Sequence, residues 1–303
     1  MPPTPQSDGS EKGRTLRSRY RVLDLIQTLD PERDCERIVR LSGQWDFAWD
    51  GRQALRMALF RTFAVPSIGG LLFRTGEFTQ RSQKRNDDTE LLIAEFVEHG
   101  FSSERGRRAI ARMNAIHGRF RIRNEDFLYV LSTFVCEPSR WNARFGWRPI
   151  SRVERQAGFV FWREVGVRMG IQDIPATAEE LTAFNVAYER EHFRFTEANA
   201  AVARATLELF ASWYLPRPLW PVGIRAVCAL LDEPLLDALG LRHPSSAERR
   251  LVEGAMHARA RVLPHLPPRR HPFGISGQPN PSYPGGYTIE ELGPSSSATG
   301  AVA

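Results

Sequence analysis

Lysine is nearly absent from this chain. Of 41 basic residues only Lys12 and Lys84 are lysines, so arginine carries almost all of the positive charge behind the formal +6. The arginines are scattered among Asp and Glu with no block of one sign. That pattern describes solvated faces and ion pairs and argues against a nucleic-acid stripe, while weak attraction to an anionic membrane surface stays open. Cysteine is scarce as well. Cys35, Cys136 and Cys228 lie far apart without C-x-x-C spacing, which argues against a disulfide framework and a zinc site. The missing C-x-x-C-H argues against covalently attached c-type haem. No apolar run reaches about 18 uninterrupted residues, so no transmembrane helix is expected. Met1 to Ser18 has no apolar core of the secretory type. The expectation is a cytoplasmic protein, with membrane association and peripheral membrane contact as the open alternative. G-x-G-x-x-G, P-loop, H-E-x-x-H and G-x-S-x-G signatures are all missing, which counts against nucleotide-dependent, metalloprotease and α/β-hydrolase chemistry.

What is present is helical periodicity. Strand alternation, Asn-Gly hairpin signals and internal repeats are missing, so the fold class is all-α, a single multi-helix domain of about ten helices. Residues 1–18 read as a disordered N-terminal segment, 19–267 as the helical domain, and 268–303 as a Pro/Gly/Ser-rich extended tail. Asp30 followed by Pro31 reads as a helix start, and Pro66 to Gly70 as a break. Ser102 or Ser103 opens a helix that Gly118 ends, and Asn124 caps the next, which Pro138 and Gly146–Pro149 separate from its successor. Ser151-x-x-Glu154 and Thr177-x-x-Glu180 are capping boxes. The helix that follows Thr177 bends near Glu189 and continues to Phe210.

Two helical windows carry candidate chemistry. Arg85, Asp88 and Thr89 stand at i, i+3 and i+4 and leave one helix face. Ile110, Met113 and His117 share an apolar stripe, which points the imidazole inward. A hydrogen-bonded core histidine and a solvated Arg85–Asp88 pair are the plainer interpretation of the same spacing. Glu189-x-x-His192 is the other metal candidate, since that spacing supplies two ligands in di-iron carboxylate bundles; those sites need a second copy and two more glutamates. Phe159, Phe161 and Trp162 read as core, or as the lining of an apolar pocket. His257, His265 and His271 are expected in solvent.

From Phe60 to about Pro216 the chain resembles the MpaB-type oxygenase family, which includes the catalytic domain of rubber oxygenase, the latex clearing protein. The phrases that carry the likeness are Phe60–Ile68, Lys84-Arg85-x-Asp87-Asp88-Thr89, Met113–Ile122, Asn124–Leu131, Phe145–Arg148 and Tyr188-Glu189. Tyr283–Pro294 in the tail also looks like that family. The resemblance implies a helical domain holding one non-covalent haem b and its iron, with O2 as co-substrate. His117 matches the family's proximal iron ligand and Met113 stands beside it on the stripe. Arg85 and Thr89 match the arginine and threonine at the haem. Asp88 stands where rubber-cleaving members have a lysine able to cap the iron, and Lys84 is one turn earlier. The implied function is attack on a carbon–carbon double bond of a lipophilic, isoprenoid or prenylated small molecule. Two alternatives stay open: a di-iron carboxylate oxidase built on Glu189 and His192, and a non-catalytic helical protein that binds lipid or a partner.

Overall fold

A computed structural model describes residues 19–294. The segment 1–18, expected to be disordered, and the end of the tail, 295–303, lie outside the described residues. In order the helices are α1 (Arg21–Ile26), α2 (Cys35–Leu41), α3 (Ala48–Phe63), α4 (Pro66–Arg74), α5 (Glu77–Gln80), α6 (Ser82–His99) and α7 (Glu104–His117). They continue as α8 (Asn124–Phe145), α9 (Arg152–Arg168), α10 (Ala178–His192), α11 (Glu197–Ser212), α12 (Trp220–Cys228), α13 (Glu233–Ala238) and α14 (Ser246–Val262). Among the described residues there is no strand, only an isolated bridge between Asn280 and Tyr283. The all-α expectation holds; the excess over ten helices comes from short pieces such as α1, α5 and α13.

Local signals account for many boundaries. Ser103 accepts from the Gly106 amide at 2.9 Å and starts α7. Both capping boxes form, at Ser151/Glu154 and Thr177/Glu180. Gly100, at φ 91°, ends α6 in a conformation that suits glycine.

Five expectations are corrected. Asp30 does accept from the amides of Glu32 and Arg33, but this closes a single turn, and α2 begins at Cys35. Pro66 does mark the end of α3, but 66–70 is not an irregular break, because Pro66 also opens α4. Its missing N–H costs nothing in the first turn, and Val65 before it is extended. Pro138 lies inside α8, which runs unbroken to Phe145 because its packing along α3 outweighs one lost backbone bond. Asn124 is the first residue of α8, and its side chain bonds Gln172 O and N at 3.0 and 2.9 Å instead of capping. The α10–α11 boundary is a full break at Phe193–Thr196, closed by Thr196 accepting from the Asn199 amide.

The core divides into two apolar clusters. Phe60, Phe63, Tyr129, Phe210 and Leu236 centre the one built on α3, α11 and α13. Ile38, Leu91, Phe96, Leu131 and Phe161 centre the one built on α2, α6 and α9. Helix α8 supplies side chains to both, Tyr129 to the first and Leu131 to the second. The described part of the tail, 268–294, has little regular structure, yet it packs on the helical body. Ile289 and Leu292 are buried, Tyr287 Oη donates to Glu95, and Arg112 Nε donates to Leu292 O at 2.7 Å.

Candidate active site

A cavity of about 770 Å3 lies at the seam of the two clusters. Phe63 and Phe78 of the first cluster line it, as do Leu92, Phe96 and Leu131 of the second. The size suits a cofactor or a drug-sized ligand. Met113 and His117 of α7 and Arg85, Asp88 and Thr89 of α6 all reach its wall, so the two windows separated in sequence meet here.

His117 closes α7. It keeps some accessible surface, yet its Nδ1 is shut off and has no hydrogen-bond partner among the described residues. The ring of Phe127 lies beside it, tilted, with centroids 5.4 Å apart. Burial, and secondly the Arg85 charge, pull its pKa from 6.5 down to about 4. The imidazole is therefore neutral at neutral pH, with lone-pair density that no side chain claims. A buried polar atom without a partner carries a desolvation cost. A neutral imidazole in an apolar wall is a suitable ligand for haem iron, so the residues present fit such a group.

Arg85 donates to Thr89 Oγ1 and lies 4.8 Å over the Phe78 ring. Thr89 Oγ1 in turn donates to Arg85 O at 3.0 Å, which locks the pair together. Arg85 has no carboxylate bond among the described residues, and burial lowers its pKa although Asp88 and Glu77 work against the shift. The expected Arg85–Asp88 ion pair does not form. Asp88 instead receives Lys84 Nζ at 3.0 and 2.9 Å and the Tyr283 hydroxyl. Lys84 also donates to Tyr283 Oη at 2.8 Å and Gly293 O at 3.0 Å. Asp88 thus anchors the tail, and Gly293 and Pro294 form part of the cavity wall.

The Glu189/His192 pair is not brought to a metal-binding arrangement. Glu189 accepts from Arg61 and Arg140, both at 3.3 Å. These two arginines also hold Glu137, at 2.7 and 2.6 Å. His192 stacks on Tyr188 with its Nδ1 3.1 Å from the Tyr188 carbonyl. No group of three His, Cys, Asp or Glu side chains converges on a metal position among the described residues. His257, His265 and His271 are exposed, as expected.

Sequence reasoning missed Glu77, Arg74, Arg119, Arg121 and Arg123, all in the cavity wall. Only the alternation of arginine after His117 hinted at the last three. A second, larger cavity of about 1570 Å3 is lined mainly by α3, α8, α9 and α10 and shares Ile93, Phe134 and Trp162 with the first. It contains no histidine, so size alone does not mark the chemistry. Phe134 and Trp162 stack at 4.6 Å and 16° in the shared wall.

No single helix among the described residues is long and apolar enough to cross a membrane. The α3–α4 pair passes by length and composition together but is bent by 96°.

The family model described as ER-bound oxygenase mpaB/B'/rubber oxygenase, catalytic domain, matches residues 44–261. The chain is 32% identical over 221 residues to the ER-bound oxygenase mpaB of Penicillium roqueforti (strain FM164), covering 67% of this chain and 74% of that protein. It is 31% identical over 241 residues to the ER-bound oxygenase mpaB' of Penicillium brevicompactum, covering 73% of this chain and 56% of that protein. Identity to the ER-bound oxygenase mpaB of the same species is 31% over 195 residues, 58% of this chain and 50% of that protein. The match thus spans about half the length of the two P. brevicompactum proteins.

Proposed function

Because this chain belongs to the ER-bound oxygenase mpaB/B'/rubber oxygenase catalytic-domain family, we propose that it is a haem-b-dependent oxygenase that attacks a carbon–carbon double bond of a lipophilic, isoprenoid or prenylated substrate. The observation that carries this reading is His117: a neutral imidazole in the wall of an apolar cavity, with no protein partner for its buried Nδ1. His117 would hold the haem iron, and the bound group would supply the dioxygen chemistry.

The chain's own residues do the rest. Met113, Phe127 and Leu131 exclude water from the cavity. Arg85, fixed by Thr89, keeps a guanidinium in that dry space, where its charge acts at short range with little screening. Asp88 spends its charge on Lys84 and the Tyr283 hydroxyl of the tail, which makes it a positioning residue. The apolar chain of the substrate extends toward the larger cavity past Phe134 and Trp162. The ER-bound relatives support association with a membrane surface.

Purified full-length protein tests this reading. A pyridine haemochromogen assay should give about one haem b per chain, and His117→Ala should lose it while keeping its helical circular dichroism. A folded wild-type protein that takes up no haem from a hemin solution contradicts the reading.

A further inference from the structure

Charge in the wall of the His117 cavity is unevenly matched. Three carboxylates line it, and each is already paired. Glu77 holds Arg81 at 3.1 Å, Asp88 holds Lys84, and Asp126 holds Arg123 at 2.9 Å. That leaves Arg74, Arg85, Arg119 and Arg121, which also line the cavity and have no carboxylate partner among the described residues. Arg85 sits inside. Arg74, Arg119 and Arg121 are exposed, on α4 and on the irregular stretch after His117. Phe120 and Ile122 alternate with the latter two and turn apolar surface to the same cavity. Apolar walls ringed by uncompensated guanidinium groups focus positive potential, and arginine binds carboxylates through paired, charge-assisted hydrogen bonds.

We infer that this cavity takes an anionic amphiphile, with its apolar body among Phe63, Leu92, Met113 and Phe127 and its carboxylates at Arg74, Arg119 and Arg121. This rests on the reading of the cavity as the cofactor site only for the ligand's identity. The same chemistry has two sources: the two propionates of the haem, or the free acid of an amphipathic substrate.

The test uses the full chain and ligands without iron, so that ligation by His117 does not enter. Metal-free protoporphyrin IX is compared with its dimethyl ester by quenching of tryptophan fluorescence, and palmitic acid with hexadecanol by displacement of a bound apolar dye. Arg119→Gln/Arg121→Gln is the variant; both positions are exposed, and its melting temperature checks the fold. For the propionate source, the porphyrin diacid binds about tenfold or more tightly than the diester, and the double variant removes that preference. Added salt also narrows it. For the substrate source, the preference and its loss are seen with palmitic acid and not with the porphyrin. Equal binding of acid and ester or alcohol in both arms, or a preference the double variant leaves intact, overturns the inference. If His117→Ala abolishes haem ligation but the diacid preference persists, both proposals stand; if wild-type protein never ligates iron yet prefers the diacid, only the haem reading fails.

Discussion

At the scale of single residues, His117 sets the behaviour of the site. Its folded pKa near 4 lies below the ordinary 6.5. Above 6.5 both folded and unfolded chains carry it neutral. Below 6.5 the unfolded chain binds a proton that the folded chain refuses, so stability falls as pH drops from 6.5 toward 4. In urea unfolding of haem-free protein, His117→Gln should show a shallower loss between pH 7 and 4.5 than wild type; parallel curves would remove the assigned burial. Asp88 makes a second residue-scale case. Tyr283→Phe deletes one charge-assisted bond to a part-exposed latch, and the expected cost is about 1 kcal/mol in chemical denaturation, with faster proteolysis between residues 277 and 287. The two residues also differ in how far sequence could reveal them. His117 was legible because Ile110, Met113 and His117 keep the helical period. The partners of Asp88 were not, since Tyr283 lies 195 residues away and no local rule connects them.

At the scale of elements, α4 and the shared cavity wall are the sensitive points. Gly69 lets α4 approach α11: a methyl group there would meet the Asn199 side chain and the Phe63 carbonyl. Gly69→Ala should therefore cost about 1–3 kcal/mol, read as a lower urea midpoint with unchanged slope. Trp162 stands between the two cavities, stacked on Phe134 and edge-on to Phe96 at 5.9 Å. Trp162→Ala should join the cavities and shift relative turnover toward bulkier or longer prenyl chains; unchanged chain-length preference would place the substrate elsewhere. Helix starts followed the sequence at Ser103, Ser151 and Thr177, where the side chain caps its own helix. They departed from it at Pro138 and Asn124, where tertiary contacts decide: α8 packs along α3 through the proline, and Asn124 spends its amide on Gln172.

Across the whole molecule, charged ties hold distant segments around the cavity. Arg148 joins Asp46, at 2.7 and 2.9 Å, to Glu154, at 2.7 and 2.9 Å, and so fixes the turn before α3 to the start of α9. Arg148 and Glu154 are buried and the Asp46 side chain is only 6% exposed, so Arg148→Met strands two carboxylates. A loss of about 3–5 kcal/mol is expected, visible as a markedly lower denaturation midpoint. The tail is the other tie. Composition marks 268–303 as an extended Pro/Gly/Ser-rich tail, and composition says nothing of how its described part, 268–294, docks. Ile289 and Leu292 bury against α6 and α7, and the hydroxyls of Tyr283 and Tyr287 reach carboxylates on α6. The all-α class and the meeting of α6 with α7 were legible because both rest on periodicity; the arginine rim was not, because it assembles from α4 and an irregular loop.

The most direct measurement is a hemin titration of the haem-free chain followed at the Soret band, for wild type and for His117→Gly with and without free imidazole. Saturation near one haem per chain is expected for wild type, with loss of the ligated spectrum in His117→Gly and its return when imidazole fills the space left by the side chain. An identical spectrum in wild type and His117→Gly, without added imidazole, would contradict that expectation.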